Sequence, residues 1–321
     1  MIRIELYYNI GLFNDDPENK VSVLDKLVII DNGNGLNEDS YSRLLTLRDD
    51  SKSIRNKGTG RIQFAHYFED TVFDSIYNLD EHKRKHLVIT LSKKDIFLKN
   101  NAILRKDLEE DVVDDMEPYT KVTFSNLLDS KKDGKLYNSI SLDILCGELR
   151  KHFLSLFCEN RNCLPDITIV RYEDKKVVRT LNITPDVIPT PDNITTVKVK
   201  YSKIDERNKI LDVDHEESFT LYSFIQPAND LKNNSIFYVS NGALAQENPI
   251  DSIQKKDVLD GNRYMFLLTG SYFDSVDDDL RGNLHLVKEN DFKRQNEETF
   301  FPEECLLSDR IEEKTNAKIN L

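Results

Sequence analysis

The stretch LVIIDNGNGL, residues 27–36, constrains this chain more than any other. An apolar run ends on Asp31 and gives way at once to Gly33 and Gly35. A buried strand must therefore deliver a carboxylate to a turn that lacks Cβ atoms at two positions. Glycine admits positive φ and the close approach of a ligand or another backbone. A second knot, Gly58-Thr59-Gly60, ends 29 residues after Asp31 and precedes RIQFAHYF, whose Ile62, Phe64, Ala65 and Phe68 fall at helical spacing. Free N–H groups at a helix start form an anion site, and Lys52, Lys57 and Arg61 add positive charge there. Between the knots, NEDSYSRLLTL reads as a helix capped by Asn37, and RDDSKSIRNK as a polar loop. Taken alone, each knot is also an ordinary turn. Asp31 reads either as an acceptor for an exocyclic amine such as that of adenine or as a solvated turn residue. The second knot is not a Walker loop, because no GK[ST] follows it.

Along the rest of the chain, IRIELYY, KLVIID, DTVFDSIYN, KHLVITLS and YTKVTFSN read as strands. SISLDILCGELRKHFLSLF, residues 139–157, reads as one long helix, with His152 a packed or edge residue. Further strands are DITIVRY, TTVKVKYSK, SFTLYSFIQ, SIFYVSNG and RYMFLLTGSYFD, followed by a helical tail. Strands surrounding helices in both halves point to an α+β protein. The expected domains are 1–130, 131–295 and a tail, 296–321.

With 44 basic and 57 acidic residues the net charge is −13, which weighs against a surface built to hold nucleic acid. The run KKDIFLKNNAILRK reads as a solvated hairpin face. Cys158 and Cys163 lack a second pair or a histidine cluster, so a zinc site is not indicated, and unpaired thiols fit a reducing cytoplasm. No run approaches the ~20 apolar residues of a membrane span.

The conjunction of DNGNG with SKSIRNKGTGR resembles the GHKL ATPases, the superfamily of gyrase-type topoisomerases, Hsp90 chaperones, histidine kinases and MutL. LLTLRDDSKSIRNKGTGR is most similar to stand-alone bacterial Hsp90-type ATP-binding proteins. The resemblance spans about residues 1–125 and implies a two-layer α/β sandwich of the Bergerat type. It also implies roles: Asp31 on the adenine amino group, Gly33 and Gly35 beside base and sugar, and Gly58, Thr59 and Gly60 around the phosphates. Lys52, Lys57 and Arg61 would neutralise phosphate charge. Thr120, in PYTKVTF, matches the threonine that supports the aspartate through water, with Tyr119 where the family has glycine. Its bland reading is an ordinary strand threonine.

The family's N-box helix carries a glutamate that activates water and an asparagine that holds magnesium. ELYYN offers Glu5 and Asn9 at that spacing, but IRIELYY alternates as a strand does, so the match is read as chance and the fold as N-terminally incomplete. Weak magnesium dependence and impaired hydrolysis follow as expectations, since a missing general base costs ~10²–10⁴ in rate. In the second half, SNGALAQ and FDSVDDDLRGNLHL resemble a transducer domain, with Arg281 at the γ-phosphate lysine and Ala243 in place of an arginine. A surface arginine paired with Asp277, Asp278 or Asp279 is the alternative. The implied output is conformational: ATP binding that closes a lid and joins two protomers, or acts on an unidentified protein partner, in a clamp, chaperone or sensor of bacterial defence. The rival classes are a non-catalytic interaction module and, third, a histidine kinase, for which His66, His82 and His86 lack an acceptor helix.

Overall fold

Ile2–Ile10, whose sequence alternates apolar and polar residues at its start, forms β1, with Glu5, Leu6 and Tyr8 buried. In a computed structural model of the chain, residues 1–10, 22–45, 67–80, 83–99, 104–112, 116–128, 140–205, 207, 209–277, 283–296 and 304–319 are described. Strands β2 (Ser22–Asp31), β3 (Phe68–Asn78), β4 (Arg84–Ser92), β5 (Leu104–Val112), β6 (Tyr119–Leu127), β7 (Ile167–Glu173) and β8 (Lys176–Ile183) join β1 in an eight-stranded sheet. Its order is β5-β4-β3-β6-β2-β1-β7-β8. Neighbours run antiparallel except β1 and β7, which run parallel.

Contacts divide the chain into two units, residues 1–150 with 162–187 and residues 151–161 with 188–321. This division runs elsewhere than the boundary read near residue 130, because β7 pairs with β1 and draws residues 167–183 into the first sheet. The expected helix over 139–157 is two helices, α3 (Leu142–His152) and α4 (Leu154–Glu159). Phe153, at φ −102° and ψ 17°, leaves the helical conformation between them. Phe68, expected on a helical face, is the first residue of β3. KKDIFLKNNAILRK supplies a helical turn, α2 (Asp95–Lys99), and the start of β5.

Side chains alternate faces along each strand, and paired residues share a face. One face of the first sheet carries Phe73, Tyr77, Leu87 and Ile89, covered by Leu36 and by Tyr41 and Leu44 of α1 (Glu38–Leu45). Arg171 and Arg179, on the same face, bond Ile140 O and Asp143 Oδ1 at the start of α3. Helices on one face of a mixed sheet make this unit a two-layer α+β structure. The opposite face is mixed: Val28, Ile76 and Val170 are buried there beside Asp70, Asp74, Glu5 and Tyr119, which make side-chain hydrogen bonds.

The turn from β2 to α1 is pressed onto β3. Gly35 has φ +75°, and a Cβ there would lie 2.1 Å from the Ile76 carbonyl oxygen. Asn37 caps α1 as the sequence suggests, its Oδ1 accepting the Ser40 N–H at 2.9 Å.

The second unit holds a five-stranded sheet of β9 (Asn193–Ile204), β10 (Ile210–Pro227), β11 (Ser235–Ser240), β12 (Ala243–Asn248) and β13 (Asn262–Thr269), in the order β12-β11-β13-β10-β9. Asn241 and Gly242, at φ +50° and +75°, make the tight turn of the β11–β12 hairpin. Gly270 ends β13, and the residues after it form α5 (Ser271–Val276) rather than more strand. Helix α6 (Glu289–Asn296) follows. Val199, Phe219, Leu221, Tyr238, Leu268 and Phe273 form the core. Ile311 of the tail helix α7 (Ser308–Asn316) is buried in it, so the tail belongs to this unit.

Two outcomes follow from these contacts. Gly35→Ala combines a positive φ with a backbone clash and should destabilise the chain by more than ~3 kcal/mol. Gly147→Ala, in α3 with no atom within 4 Å of the added Cβ, should stabilise it by ~0.5–1 kcal/mol. Urea titrations compare the two, and equal effects would contradict the assigned clash. Asp70 is buried and accepts hydrogen bonds from Ser92 Oγ (2.6 Å), Asn126 Nδ2 (2.6 Å) and Lys94 Nζ (2.5 Å). Burial alone would raise its pKa, but the bonds from Lys94, Ser92 and Asn126 outweigh that and hold it below the ordinary value. A depressed carboxylate stabilises the fold above the unfolded pKa of ~4, and that stability is lost as pH falls through the folded value. Asp70→Asn should therefore lower stability at pH 7 by ~1–3 kcal/mol and make the acid decline shallower. An unchanged slope would remove Asp70 from the acid response.

Candidate functional site

The register of three strands builds the site. Asp31, the last residue of β2, faces Thr120 on β6, and Thr120 faces Ser75 on β3. The three side chains therefore form one row across the sheet, on the face that α1 covers. Adjacent strands lie ~4.8 Å apart, so Asp31 and Thr120 are immediate neighbours. Asp31 and Thr120 are both half-buried, and Ser75 is fully buried.

The glycine turn shapes the carboxylate. Gly33 N donates to Asp31 Oδ1 at 2.9 Å. A Cβ on Gly33 would stand 2.7 Å from that same oxygen, so glycine lets the turn fold over the carboxylate. Leu36 N donates to Ser75 Oγ at 2.7 Å, and Ser75 Oγ donates to Tyr119 O at 2.7 Å. Ser75 Oγ also lies 3.4 Å from Thr120 Oγ1. Among the described residues, Asp31 Oδ2 accepts no hydrogen bond. A half-buried carboxylate oxygen beside a threonine hydroxyl, which both donates and accepts, is suited to an amine next to a ring nitrogen.

Of the residues expected from sequence, the structure brings Asp31, Gly33, Gly35 and Thr120 together. Lys52, Lys57, Gly58, Thr59, Gly60, Arg61 and Arg281 lie outside the described residues, as do His66 and His82. Glu5 and Asn9 sit elsewhere. Glu5 pairs with Val28, an odd step from Asp31, so it points to the opposite face, about 10 Å along the strand. There it is buried, paired with Arg3 at 2.6 Å and accepting from Tyr7 OH at 2.7 Å and Tyr172 OH at 3.1 Å. Burial would raise its pKa, but the bonds from Arg3, Tyr7 and Tyr172 hold it below the ordinary glutamate value. Such a carboxylate is a weak base. Asn9 is exposed and pairs with Val23 at the far end of β1. ELYYN is a strand, as its alternation suggests, and neither Glu5 nor Asn9 reaches the Asp31 row, so the conditional N-box roles of these two residues are not met beside Asp31.

His86 lies on β4, and its Nε2 is 2.8 Å from Asp74 Oδ1, an oxygen that also accepts Tyr119 OH at 2.8 Å. This trio occupies the face opposite Asp31. Sequence reasoning missed Ser75 and Leu36. The available signal was a serine at the inward parity of Phe73-Asp74-Ser75-Ile76-Tyr77, where an apolar residue is expected.

No protein-family model matches the chain, and no curated protein matches it. Among solved structures it is similar to the N-terminal domain of a DNA repair protein, at 10% identity and a TM-score of 0.42 over 84% of this chain and 78% of that one. It is also similar to the ATPase region of Saccharomyces cerevisiae topoisomerase II, at 13% and 0.35 over 84% and 68%. A third likeness is to the Aquifex aeolicus MutL ATPase domain complexed with ADP, at 8% and 0.36 over 83% of each chain. At such identities and TM-scores below 0.5, the chemistry of this chain rests on its own residues.

Proposed function

We propose that this chain is a GHKL-type ATP-binding protein that reads the adenine base at the Asp31–Thr120 row. The observation that carries the reading is the uncommitted Asp31 Oδ2, half-buried beside Thr120 behind a glycine turn that only glycine can make. One carboxylate oxygen fixes the turn through Gly33 N, and the other is left to accept the adenine amine. The phosphate end rests on sequence alone, on Gly58–Gly60 with Lys52, Lys57 and Arg61. Arg281 in a transducer-like second domain is proposed at the γ-phosphate on the same footing.

Binding rather than turnover is the activity this reading supports. Glu5 and Asn9 do not fit a base and a magnesium ligand beside Asp31, for the geometric reasons above, so hydrolysis by this pair is not proposed. Bound nucleotide would act by changing conformation or joining two copies of the chain, or through a protein partner. The non-catalytic interaction module is the second reading, and the buried, ion-paired Glu5 is what favours it. Nucleic acid fits less well: Lys94 and Lys106 of the basic stretch are ion-paired with Asp70 and with Glu109 and Glu38. Among the described residues no helix is long and apolar enough to cross a membrane.

The test is Asp31→Asn. In asparagine an NH2 group replaces one carboxylate oxygen and would face either Gly33 N or the adenine amine donor to donor, so one bond is lost, and ATP binding should weaken by ~1–3 kcal/mol. GTP should compete poorly, because its carbonyl would face the carboxylate. Equal ATP and GTP affinities, or an Asp31→Asn chain that binds ATP as before, would sink the assignment.

A further inference from the structure

Ser75 is a polar residue at a place where the sheet otherwise buries apolar side chains. It is fully buried between Phe73 and Tyr77 on the face packed by Leu36, Tyr41 and Leu44. A buried hydroxyl is costly unless its hydrogen bonds are made. This one makes them to two backbone groups from distant parts of the chain. It accepts from Leu36 N, the first residue past the glycine turn, and donates to Tyr119 O, directly before Thr120. One oxygen atom therefore ties the turn that carries Asp31 to the strand that carries Thr120.

The tie acts where the turn is otherwise freest. Gly33 and Gly35 supply the turn's bend, and glycine restricts φ and ψ least of all residues. Gly35 also brings the turn against Ile76 O with no side chain between. Beyond Gly35, the bond from Leu36 N to Ser75 fixes how far the turn stands from β3. On the far side, Ser75 Oγ lies 3.4 Å from Thr120 Oγ1 and sets that hydroxyl's surroundings as well.

We infer that Ser75 is a positioning residue for base recognition, a latch that fixes the spacing of Asp31 and Thr120 so that the pair selects a 6-aminopurine. This rests on the adenine reading above. Ser75 does not touch the base itself. It acts through Leu36 and Tyr119, so its loss should be felt at the base and not at the phosphates. Removing the hydroxyl leaves the part-buried Leu36 N–H and Tyr119 carbonyl short of a partner, so the turn is held less firmly against β3 before the base arrives, and a ~10-fold loss in affinity is expected.

The experiment compares the unsubstituted chain with Ser75→Ala for ATP and GTP binding, and follows exchange of the Leu36 amide without nucleotide. ATP affinity should fall ~10-fold while GTP affinity stays within about twofold, so that the preference for ATP shrinks. Leu36 should exchange faster in the variant. Ser75→Thr, which keeps the hydroxyl, should restore the preference. If Ser75→Ala fails to fold, Ser75→Cys takes its place and should show a smaller loss of the same pattern. Equal losses for ATP and GTP would show a general structural role and overturn the proposal, as would a folded variant with unchanged ATP preference. An unsubstituted chain that binds neither nucleotide overturns the adenine reading itself. Failure of the latch alone is different: the unsubstituted chain prefers ATP and Ser75→Ala prefers it equally.

Discussion

The pairing of β2, β6 and β3 in one register is the constraint on which the rest of the first unit depends. It sets Asp31, Thr120 and Ser75 side by side and stacks Ile29, Val122 and Phe73 in the row beneath them. A slip of one residue in either pairing would move a whole strand's side chains to the other face. The apolar row would then face away from α1 and the carboxylate would face away from Thr120. Packing and the proposed site are thus specified together, since the same parity that packs Phe73 and Val122 presents Asp31. The turn follows from the same geometry. Because β2 ends level with the start of β6, the chain must turn back over β3 to begin α1, and it passes so close to Ile76 that only glycine fits.

The two faces of this sheet do different work. The helix-covered face holds Asp31 Oδ2, which among the described residues accepts no hydrogen bond, in the same row as the Thr120 hydroxyl. The other face holds charged groups that are already satisfied: Glu5 by Arg3, Tyr7 and Tyr172, Asp70 by Ser92, Lys94 and Asn126, and Asp74 by His86 and Tyr119. Carboxylates with full sets of partners are held in place and are poor bases, whereas an acceptor with a vacant side is available to a ligand. That contrast separates Asp31 from Glu5, Asp70 and Asp74.

Much of this was legible in the sequence, for identifiable reasons. The strand ending at Asp31, the glycines after it and the Asn37 cap are local, and local chemistry leaves a local trace. Strict alternation marked β1 correctly and argued against a helix through Glu5. Thr120 was found beside Asp31 only through resemblance, because strand pairing joins residues far apart in the chain. What was not legible is likewise non-local. Ser75 looks like an ordinary strand serine until Leu36 and Tyr119 arrive from opposite directions. The parallel pairing of β7 with β1 leaves no mark at residue 130, so the first unit extends beyond the boundary read from the order of elements. Helix α3 and helix α4 read as one because Phe153 fits a helical stripe, whereas its backbone, at φ −102° and ψ 17°, breaks the helix between them. Short polar or mixed strands such as β8 and β12 were missed because their alternation is weak and their pairing partners define them.

The most direct measurement of the central claim is a crystal structure of this chain with an adenine nucleotide bound. The account predicts the exocyclic amine of the base within hydrogen-bonding distance of Asp31, about 2.7–3.2 Å. It also predicts Thr120 at the neighbouring ring nitrogen, directly or through one water, and an unbroken bond from Leu36 N to Ser75. A base seated on the opposite face of the sheet, against Glu5 and Arg3, would contradict the account, as would phosphates rather than the base at Asp31.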